Sequence, residues 1–171
     1  EQFVIDLYGD GSDGVTTRFA VVPNDNRLVC QCAACKAKGN TPQSATPAVT
    51  ALIERLARRF PHQMFFTSAY STTRKAPTHR LPDNVGVMVS AIDMPMAPEA
   101  SQAKGHEGLE AQVKAWQQCC GRVYVWDYMR NFDDYLTPYP CLHHIQSRLR
   151  FYRDLGVKGV FLNVRGYDYA P

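Results

Sequence analysis

Short apolar runs rich in β-forming residues alternate with segments of helical periodicity, and this alternation restricts the chain to a small set of α/β architectures. The runs are residues 18–23 (RFAVVP), 64–69 (MFFTSA), 85–92 (VGVMVSAI), 122–126 (RVYVW) and 159–164 (GVFLNV), with a weaker strand candidate at residues 3–8. They are mostly apolar on consecutive positions. Such strands are expected to be buried on both faces, as in a parallel sheet covered by helices.

Three helices are predicted between them. Thr46-Pro47 offers a cap and a first-turn proline. Val49, Leu52, Ile53, Leu56, Ala57 and Phe60 then follow at helical spacing until Pro61. A second helix is predicted near residues 108–120, with Leu109, Val113, Trp116 and Cys120 inward. A third covers residues 141–155, with Leu142, Ile145, Leu149 and Tyr152 on one side. Gly156 stands where a left-handed terminator belongs. Residues 72–84 and the stretch around Pro95 and Pro98 read as loops. A complete eight-stranded barrel needs about 250 residues. The 171 residues here suit one domain, either part of a (β/α)-barrel or a shorter open α/β sheet.

Composition narrows the partners. Charged residues make up 20% of the chain and the net charge is +3, which argues for neither nucleic acid nor an anionic membrane surface. Arg55, Arg58 and Arg59 sit beside an apolar stripe and read as a solvated helix face. No apolar run reaches the length of a membrane span, and no signal peptide pattern heads the chain. Dinucleotide, Walker, H-E-x-x-H and G-x-S-x-G signatures are absent.

Six cysteines are present. Cys30, Cys32 and Cys35 form a C-x-C-x-x-C cluster that can offer three thiolates to zinc. A structural zinc wants four ligands, so the fourth would come from Cys141 or a histidine. The same cysteines also suit a loop with a disulfide or with reduced thiols.

In parallel α/β folds the ligand site lies at the carboxyl ends of the strands. The residues found there are Asn24, Asp25, Asn26, Tyr70, Asp93, Trp126, Asp127, Tyr128, Asn163 and Arg165. Paired carboxyl groups are what glycoside hydrolysis needs. Aromatic faces suit the C–H faces of sugar rings, and amides and arginine suit hydroxyls or a uronate carboxylate. Each residue also has a plain structural reading. An aspartate after a strand is often a turn residue or cap, Trp126 suits core packing, and Asn163 and Arg165 suit a surface turn with Gly166. His143 and His144 fall on a predicted helix away from the strand ends.

The order strand–Pro23-Asn24-Asp25, C-x-C-x-x-C, helix, proline, strand–Ala69-Tyr70 resembles a bacterial family, domain of unknown function 4838. So do VYVWDYMRNFDDYLTPYP (residues 123–140) and RFYRDLGVKGVF (residues 150–161). The resemblance spans residues 18–163. That family is similar to α-glucuronidases and other glycoside-hydrolase-like (β/α)8 TIM barrels of secreted or cell-envelope proteins. It implies a carbohydrate-active barrel of which this chain is roughly the C-terminal half, strands four to eight. It also implies a catalytic carboxylate at Asp25, where some such enzymes carry Asp-Glu and this sequence has Asp25-Asn26.

The expectation is therefore a glycosidase acting on a polysaccharide or oligosaccharide. Asp25 and Asp127 are the carboxylate pair. Tyr70, Trp126 and Tyr128 form the sugar platform, with Asn24, Asn26, Asn163 and Arg165 as polar contacts. The rivals are a non-catalytic carbohydrate-binding barrel and a structural α/β domain with cysteine-bound zinc.

Overall fold

A computed structural model describes residues 1–94, 104–129, 131, 138 and 140–164. Its five strands are β1 (Arg18–Ala20), β2 (Met64–Ala69), β3 (Val85–Ser90), β4 (Val123–Tyr128) and β5 (Val160–Asn163). They form one sheet in the order β1-β2-β3-β4-β5, and every neighbouring pair is parallel. The helices are α1 (Gln2–Tyr8), α2 (Ala33–Ala37), α3 (Thr46–Arg59), α4 (Lys104–Cys119) and α5 (Ile145–Asp154).

Strand order decides between the two architectures left open by the sequence. A doubly wound sheet reverses direction once, at a switch point. Here each strand pairs with its successor, with no reversal. Because βαβ crossovers are right-handed, a constant direction puts the crossover helices on one face. The result is a half-barrel sheet of the (β/α) type with helices outside.

Burial follows this asymmetry. Phe65, Thr67 and Ala69 of β2 and Val123, Val125 and Asp127 of β4 are buried, while the residues between them are only half-buried. β2 and β4 therefore alternate, although their sequences look largely apolar, while the central β3 is buried at nearly every position. The core lies between the helix-side face and α3 and α4, around Ile53, Phe60, Phe65, Val87, Val113 and Trp116.

Several local predictions needed correction. Residues 3–8 are helical, not extended, and only Val4 of α1 is buried. Thr46 does not cap α3. Its hydroxyl donates to the Lys75 carbonyl (2.7 Å), and the Asn40 Oδ1 accepts from the Ala48 N–H (3.0 Å) instead. Leu52 is exposed, whereas Thr50 takes a place in the core. The arginine face of α3 is solvated as expected, with Arg55 tied to Glu1 and Arg58 to Glu54. Gly156 terminates α5 with φ 74°.

One glycine is dictated by the inner face. Phe66 and Tyr124, on the strands either side of β3, meet edge-to-face at 5.6 Å between centroids. The intervening residue is Gly86, and a Cβ there would lie 2.4 Å from the Phe66 ring. Gly86→Ala should therefore displace Phe66 and cost about 1–3 kcal/mol. Phe66→Leu on that background should recover part of the loss in urea denaturation. A neutral Gly86→Ala would refute the packing described.

Candidate active site at the carboxyl ends of the strands

Successive side chains of a strand point to opposite faces. This rule sorts the expected site residues into two groups. Ser68 of β2 registers with Met88 of β3, and Ser90 with Trp126 of β4. Tyr128 registers with Asn163. Ser68, Ser90, Trp126, Tyr128 and Asn163 thus share the inner face. Tyr70 extends β2 in the same parity, its backbone still extended (φ −146°, ψ 147°).

Asp25 joins this group from the loop after β1. Burial, and then the Asp25 carboxylate beside it, hold the Tyr70 phenol above its ordinary range. Tyr128 is also raised, first by burial and then by the charges of Asp25, Asp127 and Asp93; the Ser90 hydroxyl opposes this. Ser90 Oγ and Tyr128 Oη are 3.4 Å apart. On the rim, Arg74 Nη2 and Asp93 Oδ2 form an ion pair at 2.6 Å. A depression of about 340 Å³ opens there, walled by Arg74, Ser90, Asp93, Met94 and Gln112. Trp126 lies against Phe161, centroids 4.6 Å apart. A wider groove of about 1290 Å³ runs beside α3 at Glu54, Arg58, Lys75 and His79. It meets the rim of the mouth at Arg74, and its Glu54 carboxylate is taken up by Arg58 and His79.

Asp127 does not belong to the mouth. It is fully buried on the opposite face, beneath α5. Its Oδ2 accepts from Arg148 Nε (2.8 Å) and the Tyr152 hydroxyl (2.7 Å). Its Oδ1 accepts from the Tyr128 N–H (2.8 Å) and from Arg148 Nη2. Burial, followed by the Asp127 charge, pushes the Tyr152 phenol far up, so it remains a neutral donor. Burial opposes the Arg148 charge, but the Asp127 hydrogen bond and charge more than restore it. A carboxylate so enclosed cannot meet a substrate, and the expected pairing of Asp25 with Asp127 is corrected on that ground.

The same network corrects α5. Leu142 and Leu149 are exposed, and the buried positions are Cys141, His144, Arg148 and Tyr152. Tyr152 is buried on the side read for it, but the leucine spacing misleads because the core-facing side also carries the Arg148 charge.

Asn24 and Asn26 lie exposed in the Asp25 loop. The Asn26 side chain is engaged in a turn, its Oδ1 accepting from the Leu28 N–H (2.9 Å), while its carbonyl accepts from Ser71 Oγ (3.3 Å). Arg165 lies outside the described residues. Ser90 and Arg74 are mouth residues that the sequence reading passed over. Ser90 could have been found from strand parity, but Arg74 stands in a loop without any pattern.

Cys30, Cys32 and Cys35 are unpaired thiols whose sulfur atoms all lie within 4.8 Å of one another. A hydrogen bond from the Cys35 N–H, helped by the Cys30 and Cys35 thiols, lowers the Cys32 thiol to about 7. The Cys30 and Cys32 thiols in turn push Cys35 up to about 11. The three could bind a metal. Cys141, one of the two kinds of fourth ligand expected, is buried elsewhere, its thiol 3.4 Å from the Met129 carbonyl. Among the described residues no histidine or carboxylate completes the group.

Fold and site together define an α/β protein with a parallel half-barrel sheet and a polar–aromatic mouth. The chain matches the family described as Domain of unknown function (DUF4838) over residues 12–167. It belongs to that family. No curated protein and no solved structure matches it.

Proposed function

We propose that the chain is the later part, strands four to eight, of a carbohydrate-active (β/α)8 barrel that hydrolyses glycosidic bonds. The observation that carries this reading is the convergence of Asp25, Tyr70 and Tyr128 at the carboxyl ends of parallel strands. The sequential strand order, with both sheet edges unpaired among the described residues, fits a larger barrel.

Asp25 is the exposed carboxylate in position to act on a glycosidic oxygen or anomeric carbon. Asp93, whose charge reaches Tyr128, is the second carboxylate of the mouth, since Asp127 is buried on the opposite face. Tyr70, Trp126 and Tyr128 offer ring faces to the sugar, and Asn163 and Arg74 offer donors to hydroxyls or a uronate. A polymeric substrate would be met outside the cytoplasm, in keeping with a secreted or envelope protein. No helix among the described residues is long and apolar enough to cross a membrane.

A panel of neutral and uronate-containing oligosaccharides, assayed with the full-length protein by reducing-end release and by calorimetry, tests the reading. Asp25→Asn is expected to lower cleavage by about a hundredfold or more while binding persists. Cleavage unchanged in Asp25→Asn overturns its catalytic role. The burial of Asp127 favours the second reading, a binding barrel. Glycan binding without cleavage by the wild-type protein would select it.

A further inference from the structure

Among the described residues, the cysteine cluster is the one group of three or more cysteine, histidine or carboxylate side chains placed to hold a metal ion. Cys30 and Cys32 sit in the loop between β1 and α3, and Cys35 is on α2. Two of the three are exposed and the third is half-buried. A single disulfide would leave one sulfur unused, whereas one metal ion uses all three.

The distances suit a metal. With Zn–S bonds of about 2.3 Å, thiolates at the corners of a tetrahedron stand about 3.8 Å apart. The observed spread, at most 4.8 Å, closes to that value by small side-chain rotations. Local backbone bonds hold the three in place. Lys36 N–H donates to the Cys32 carbonyl (3.0 Å), and Asn40 N–H to the Cys35 carbonyl (3.1 Å). Asn40 Nδ2 donates to the Cys30 carbonyl (3.3 Å), while its Oδ1 caps α3. Three thiolates without carboxylate or imidazole are a soft set, which selects Zn²⁺ or Cu⁺ over Mg²⁺ or Ca²⁺.

We propose that Cys30, Cys32 and Cys35 together bind one Zn²⁺ through three thiolates, with the fourth position left to water or an incoming ligand. Each coordinating thiol gives its proton to solvent, so binding releases protons and weakens as pH falls. The ion pins the loop that also carries Asn24, Asp25 and Asn26, and so fixes one wall of the mouth. This inference stands whether or not the chain cleaves glycans.

The test uses the full-length protein, reduced and stripped of metal, titrated with Zn²⁺ against a chromophoric chelator and separately with Co²⁺. One equivalent of Zn²⁺ per chain is expected, with thiolate-to-cobalt charge-transfer absorption. Cys32→Ser should weaken Zn²⁺ at least tenfold, and the buried Cys119→Ala should leave it unchanged. Circular dichroism checks that each variant folds. Absence of Zn²⁺ uptake by the folded, reduced protein overturns the site. So does undiminished uptake by the triple variant Cys30→Ser, Cys32→Ser, Cys35→Ser. Hydrogen exchange of residues 24–32 should slow on Zn²⁺ binding; unchanged exchange overturns the pinning of the loop.

Discussion

Asp127→Ala is expected to lower the unfolding free energy by about 3–5 kcal/mol, because it removes the carboxylate with which the buried Arg148 guanidinium is paired. The Arg148 side chain is 4% exposed and Asp127 0%. Neither can recover its lost partner from water. For a chain of this size the change is roughly a 10 °C fall in melting temperature. Arg148→Met alone should be comparably harmful. Asp127→Ala combined with Arg148→Met should be far milder than the sum of the two single changes, since removing both partners leaves no buried charge uncompensated. Urea denaturation of the four proteins gives the coupling directly. A single substitution costing under about 1 kcal/mol would mean that Asp127 is not enclosed. Asp25 provides the contrast. It is exposed, so Asp25→Asn should change stability by no more than about 0.5 kcal/mol. Stability thus separates the two carboxylates independently of any substrate.

Trp116→Ala should cost a similar amount, about 3–5 kcal/mol. The ring is completely buried between α4 and the sheet. Its indole N–H donates to the Arg74 carbonyl at 3.1 Å. Truncation therefore empties part of the core and also frees the loop that presents Arg74 to Asp93. Trp116→Phe keeps most of the volume and loses the hydrogen bond, so it should cost less, about 1–2 kcal/mol. Chemical denaturation gives both values. Equal losses for the two variants would mean that the bond to Arg74, not the packing, dominates.

The elements were legible in the sequence where local pattern and final environment agree. Residues 64–69 form β2 as read, and Leu109, Val113, Trp116 and Cys120 face inward as read. The faces were harder to read, since consecutive apolar residues conceal the alternation between helix side and inner side. Trp126, Asp127 and Tyr128 were all assigned to one site, although neighbouring residues of a strand cannot share a face. Parity alone would have moved Asp127 across the sheet. The identity of its partner was beyond local pattern, because Arg148 resembles a surface residue until β4 supplies a buried charge. The capping of α3 by Asn40 was hidden for a related reason. It acts from eight positions upstream of the amide it satisfies.

The unbroken succession of strands has a consequence for how such a chain can change. Each strand hydrogen-bonds only to its immediate neighbours in sequence order, so the sheet has the logic of a stack rather than of a knot. A unit can be added or lost at the β1 or β5 margin without re-threading any other. The same logic predicts where fluctuations gather. Amide exchange should be slowest in β3, which has two strands on either side, and fastest at the two margins, where the next layer would dock.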